Sequence, residues 1–132
     1  AAVYEGSGWT ALRGNNLQEP GHETHLVGQA VVLFPSAPDA DAFFTASAQR
    51  WPACRQFTYT SAGKPDVYDT VGPVSNTNGT LSATVTHSAS SWTCQRALTV
   101  ANNVAIDITA CSFSPTDSAV NIAHQIAAKV PT

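Results

Sequence analysis

The sequence predicts an α+β domain: a twisted antiparallel sheet with two helices packed on it, stapled by a disulfide. Three features carry that expectation. Runs of β-branched and aromatic residues recur between turn signals. Two stretches repeat apolar residues at a helical period. Residues 94–111, CQRALTVANNVAIDITAC, read as a hairpin with a cysteine at each end. The length of 132 residues fits one domain, residues 1–132, large enough to bury a core of its own.

The elements follow in order. Residues 8–18, GWTALRGNNLQ, form a first strand that ends at the turn signal Glu19-Pro20-Gly21. Residues 24–34 form a second, apolar enough from Leu26 to Phe34 for burial on both faces. Pro35 stops it, because proline cannot donate to a ladder. Ser36 then caps a helix, and Asp39 favours the positive end of its dipole. Ala40, Phe43, Phe44, Ser47 and Trp51 make one stripe, and Pro52 ends the helix. Residues 55–60, RQFTYT, alternate as a third strand. Residues 61–80 read as irregular, with a short apolar piece around Val67, Tyr68, Val71 and Val74, before the reversal at Asn78-Gly79. Residues 81–87, LSATVTH, alternate again. After the hairpin, Ser114, Pro115 and Asp117 supply a cap, a first-position proline and a capping-box-like acid for a last helix. Its stripe is Ala119, Val120, Ile122, Ala123, Ile126, Ala127 and Val130.

Asn102 and Asn103 suit a two-residue hairpin turn, because asparagine tolerates positive φ. Counting outward equally on both strands then sets Cys94 directly opposite Cys111, in a non-hydrogen-bonded pair with Cα atoms about 4.5 Å apart. A disulfide accepts that distance. The spacing excludes a redox CxxC pair, and zinc would need two further ligands. The pair is therefore a structural staple worth about 3 kcal/mol in the loop-entropy model, and it places the domain outside the reducing cytosol.

The same register separates two faces. Trp92, Arg96, Leu98, Val100, Asp107, Thr109 and Phe113 share the cysteine face. Val104, Ile106, Ile108 and Ala110 form the purer apolar face, which is assigned to the helices. Arg96 and Asp107 are diagonal neighbours, since Leu98 stands opposite Asp107. Their ion pair is either a structural bridge or the polar floor of a ligand cleft. The candidate cleft residues are Trp92, Arg96, Asp107 and Phe113, with Tyr59, Tyr68 and His87 as further lining.

Composition excludes several function classes. Charged residues make up only 11% of the chain, under half the usual share. Six scattered Lys and Arg and a net charge of −3 offer no footprint for nucleic acid. No apolar run approaches the ~20 residues of a membrane span. The chain starts at Ala1 without a methionine and reads as a piece excised from something longer, so an anchor or signal would lie outside it. Gly21-His22-Glu23-Thr24-His25 lacks the helical spacing of a zinc motif. His87 and His124 are single. There is no GxSxG elbow, and the glycines of Tyr4-Glu5-Gly6-Ser7-Gly8-Trp9 follow no strand. Asn78-Gly79-Thr80 matches a glycosylation sequon but reads more simply as a turn. No catalytic residue, metal or cofactor is expected.

Three segments carry a resemblance: YEGSGWTALRGNNLQEP (4–20), QAVVLFPSAPDADAFFTASAQRWPAC (29–54) and WTCQRALTVANNVAIDITAC (92–111). Together they resemble the PknH-like extracellular sensor domains of mycobacterial transmembrane Ser/Thr kinases and related lipoproteins. The resemblance implies an α+β domain with a cleft on the outer side of the cell membrane. It also implies two disulfides, one of them Cys94–Cys111. The other would join Cys54 to a cysteine upstream of the first helix, which this chain lacks, so Cys54 either bonds a cysteine outside the chain or is a free thiol. The expected role is a non-enzymatic sensor of an external small molecule or cell-envelope component, attached to a membrane-anchored kinase. The alternative is an interaction domain of an envelope lipoprotein without a kinase. Nucleic acid is not an expected partner; a dimer is compatible with either role.

Overall fold

The computed structural model describes residues 2–21, 24–59, 67–88, 92–114 and 116–132, with backbone alone at 2, 56–59 and 67–68. Its elements are β1 (Ala11–Gln18), β2 (His25–Leu33), α1 (Ala37–Arg50), β3 (Gln56–Tyr59), β4 (Val67–Val71), β5 (Ser75–Thr77), β6 (Thr80–His87), β7 (Thr93–Ala101), β8 (Val104–Ser112) and α2 (Ser118–Ala127). The strands form one antiparallel sheet in the order β1-β2-β8-β7-β6-β4-β3, and β5 also pairs with β6.

The β7–β8 hairpin sits at the centre, in the predicted register. Ala101 pairs with Val104, Leu98 with Asp107 and Cys94 with Cys111. The positive φ falls on Asn102, at 51°. The disulfide draws the two cysteine Cα atoms to 4.0 Å, closer than an unlinked pair of this kind.

The helices depart from expectation. They do not share the purer apolar face; they lie on opposite faces of the sheet. On that face α2 packs alone, with Ala119 and Ala123 in one fully buried cluster with Ala97, Ile106 and Ile108. On the cysteine face α1 covers Leu98, Leu81, Ala105 and Val32, together with Tyr4 and Phe34. The reason is parity. Leu98, Val100 and Ala105 give one end of the cysteine face enough apolar surface to hold the Phe43, Phe44 and Trp51 stripe. Burying such a ring contributes on the order of 2–3 kcal/mol.

Two further expectations are corrected. Residues 67–71 and 75–77 are not irregular; both pair with β6 along the same edge. Gly72 and Pro73 separate the two: Gly72 N–H reaches Thr84 O at 2.8 Å, whereas proline has no donor. Nor does α2 start from a Ser114 cap. Asp117 occupies the cap position without a side-chain bond to the helix. Instead, Gln95 of β7 caps the helix from below: its Oε1 accepts from Ala119 N–H (3.0 Å) and Val120 N–H (3.4 Å), and its Nε2 donates to Asp117 Oδ1 at 3.2 Å. By contrast, Ser36 caps α1 as expected, accepting from Asp39 N–H at 3.2 Å.

Candidate functional site: a groove on the disulfide face

α1 covers only one end of the cysteine face. Toward the disulfide, the described residues leave two hollows that meet at Arg96 and Thr109. One, of about 600 Å³, extends over β1 and β2. The other, of about 430 Å³, extends over β6 and β4 beneath Trp51.

The ion pair stands between them and is bidentate. Arg96 Nε donates to Asp107 Oδ1 at 3.0 Å and Nη2 donates to Oδ2 at 2.7 Å. Tyr4, from the N-terminal turn, donates its hydroxyl to Oδ2 at 2.9 Å. Arg96 also lies 4.7 Å from the centre of the Trp51 ring, a cation–π arrangement. Asp107 is buried, while about a third of the Arg96 side chain remains exposed (36%). Burial, reinforced by the Asp107 charge and hydrogen bond, pushes the Tyr4 phenol far above its ordinary value, so it stays a donor. For Arg96, burial works against the charged form, but hydrogen bonds to Asp107 and its charge prevail and hold the guanidinium above its usual value.

The hollow beneath Trp51 is apolar. Val71, Ala83, Val85 and the Cys94 sulfur line it. At its far end His87 Nδ1 meets Asp69 Oδ1 at 2.6 Å, and His87 Nε2 is 3.4 Å from Cys94 Sγ. The hollow over β1 and β2 is mixed, with Leu12, Leu26 and Ala30 beside polar groups, and it is kept low by glycine. An added Cβ on Gly28 would stand 3.1 Å from Asn16 Oδ1, and one on Gly14 would stand 3.1 Å from Gln29 O. Asn16 and Thr109 supply its side-chain hydrogen-bonding groups. The end of β2 holding Leu26, Gly28 and Ala30 thus faces this hollow and not a core, contrary to the expectation of burial on both faces.

Of the sequence-predicted cleft residues, Arg96, Asp107 and His87 stand in this groove. Trp92 and Phe113 do not line either hollow. They form an edge-to-face pair at 5.6 Å beyond the disulfide, with Phe113 exposed. Tyr59 and Tyr68 fall on β3 and β4, and their side chains lie outside the described residues. Sequence reasoning missed Tyr4, Asp69, Val71 and Val85, and it read Trp51 only as helix core. Asp69 could not be found, because its pairing with His87 depends on the β4–β6 register. Tyr4 sits in a short 3-10 turn without periodicity.

Cys54, which lines the hollow beneath Trp51, is a free, exposed thiol within the chain. In the zinc-like stretch, His22 and Glu23 lie outside the described residues, while His25 pairs with Glu19 at 2.7 Å. Thr24 and His25 hold the Glu19 carboxyl below its usual value. His124 is bonded to Thr80 Oγ1 at 2.9 Å. Among the described residues no group of three acidic, histidine or cysteine side chains could hold a metal.

Comparison with known proteins agrees with this architecture. The model of the PknH-like extracellular domain matches residues 1–129. The chain is 42% identical over 131 residues to the serine/threonine-protein kinase PknH of Mycobacterium tuberculosis, covering 97% of this chain and 21% of the kinase. The identity to PknH of Mycobacterium bovis is also 42%, over 22% of that protein. The chain thus spans about a fifth of the length of these curated relatives. The crystal structure of the extracellular domain of PknH from Mycobacterium tuberculosis superposes with a TM-score of 0.89 at 40% identity, covering 97% of this chain and 68% of that one. With its central hairpin, its disulfide and its two helices, the chain belongs to the family of PknH-like extracellular domains.

Proposed function

We propose that this domain is the ligand-binding sensor of a membrane-anchored Ser/Thr protein kinase, non-enzymatic in itself, and that the groove on the disulfide face is where the ligand binds. The observation that carries this reading is the groove's construction. A buried Tyr4–Asp107–Arg96 network stands at the junction of two open hollows, in a domain of an extracellular family. Buried polar networks cost stability unless every member is satisfied. This one is satisfied and still leaves part of the guanidinium accessible. Concave sites with a few fixed polar groups on apolar walls suit small-molecule recognition.

The test is a thermal-shift screen of the domain against fractions of cell-envelope extract. A ligand at a hundred times its Kd adds about 2.7 kcal/mol. An active fraction should stabilise the wild-type domain and not a folded Val85→Asp variant. A fraction that stabilises both equally, or no active fraction at all, contradicts the reading.

A further inference from the structure

The ligand class follows from how the two hollows differ, and this step rests on the sensor reading above. We infer that the groove takes an amphiphile with an uncharged, hydroxyl-bearing head: the head lies in the hollow over β1 and β2, and the apolar body lies beneath Trp51.

Charge decides the head. Among the described residues, the charged side chains at the junction are Arg96 and Asp107, already joined by two hydrogen bonds of 3.0 and 2.7 Å. An anion drawn to the remaining guanidinium nitrogen, Nη1, would sit beside the Asp107 carboxylate and lose there what it gains from Arg96. A cation would meet the exposed third of Arg96, with Arg50 on the rim beyond. A neutral group faces neither penalty. Hydroxyls match what the hollow offers: the guanidinium donates, the Thr109 hydroxyl can donate or accept, and the Asn16 amide does both. Gly14 and Gly28 keep the floor low enough for a ring-sized head, since a Cβ at either would crowd its neighbours.

The other hollow fixes the body. Trp51, Val71, Ala83, Val85 and the disulfide sulfur present apolar surface. Asp69 and His87 satisfy each other at 2.6 Å, and Arg50 and the Cys54 thiol also line the hollow, outside the Val71, Ala83 and Val85 wall. A polar group placed along that wall would lose water without gaining a partner. Because both hollows share Arg96 and Thr109, one molecule can span them.

The experiment titrates the isolated domain, 15N- and methyl-labelled, with octyl glucoside, methyl glucoside, octanoate and octyltrimethylammonium, all below their micelle concentrations. Octyl glucoside is expected to bind at least about tenfold tighter than each of the others and to shift Thr109 and Val85 together. Asn16→Ala and Thr109→Val should each weaken octyl glucoside several-fold and leave octanoate unchanged. Val85→Asp should abolish binding; Val71→Ser, a milder change in the same wall, should weaken it if Val85→Asp fails to fold. Octanoate or the ammonium binding as tightly as the glucoside overturns the neutral head while leaving a ligand groove in place. No binding by any probe, or shifts confined to α2, overturns the proposed class; the sensor reading then stands or falls on the extract screen alone.

Discussion

The two faces of the β7–β8 hairpin are built from alternate residues of the same eighteen positions, yet they do different work. On one face Ala97, Ile106 and Ile108 meet Ala119 and Ala123 of α2 with no exposed surface left. The small helix residues let the backbones approach, so the branched chains fill the gap. On the other face α1 closes only the Leu98 and Ala105 end, and the rest carries Arg96, Asp107, Thr109 and the disulfide beside open hollows. One parity holds the sheet to a helix and the other leaves open hollows. Where a face carries polar residues between apolar ones, a helix stripe can seal only part of it, and the unsealed part remains available for a ligand.

The largest effect that tests this contrast is a cavity in the closed face. Ile108→Ala should lower unfolding free energy by about 3 kcal/mol, with the urea midpoint as readout. A loss under about 1 kcal/mol would mean that this face is not the tight one. On the site face, Asp107→Asn should cost about 2 kcal/mol, because it leaves a partly buried guanidinium with one good bond in place of two. A neutral outcome would show that water satisfies Arg96 as well as the carboxylate does. Between the faces, Gln95→Ala should remove the cap of α2 and cost about 1 kcal/mol, seen as faster amide exchange in the first turn of that helix. Beyond the groove, Phe113→Ala should cost about 1 kcal/mol or less, since the ring is exposed and gives up an edge-to-face contact with Trp92.

A pH dependence follows from Tyr4. Its folded-state phenol is raised above the ordinary value near 10, so the stability it contributes is fully present below pH ~10 and is lost as pH rises beyond that. The wild-type urea midpoint should therefore fall more steeply between about pH 10 and pH 11 than that of Tyr4→Phe. Parallel curves would mean that the Tyr4–Asp107 hydrogen bond does not contribute.

What could be read from the sequence was what local geometry determines. The Asn102-Asn103 turn fixes the register of the residues that follow on either side, so the disulfide and the diagonal Arg96–Asp107 relation came from counting alone. The α1 cap was legible for the same reason, since Ser36 and Asp39 are neighbours. The placement of the helices was not. Alternation reveals that the two faces differ but not that Leu98, Leu81 and Val32, from three strands, combine into enough apolar surface to seat α1. The Gln95 cap and the Asp69–His87 pair join elements distant in the chain, and no spacing encodes them. Strands β4 and β5 were lost because they are short and separated by Gly72-Pro73, which reads as loop. Trp92 and Phe113 do share the parity of Arg96 and Asp107, but parity does not say how far along the strands the hollows extend, and they end before reaching these two rings.

The most direct test is a methyl-labelled NMR map of the ligand isolated from envelope fractions, bound to the wild-type domain. The account predicts that perturbed methyls belong to Val71, Val85 and Thr109, on the disulfide side of the sheet, with Ile106, Ile108 and Val120 unmoved. A map centred on those last three residues, where α2 packs on the sheet, would contradict it.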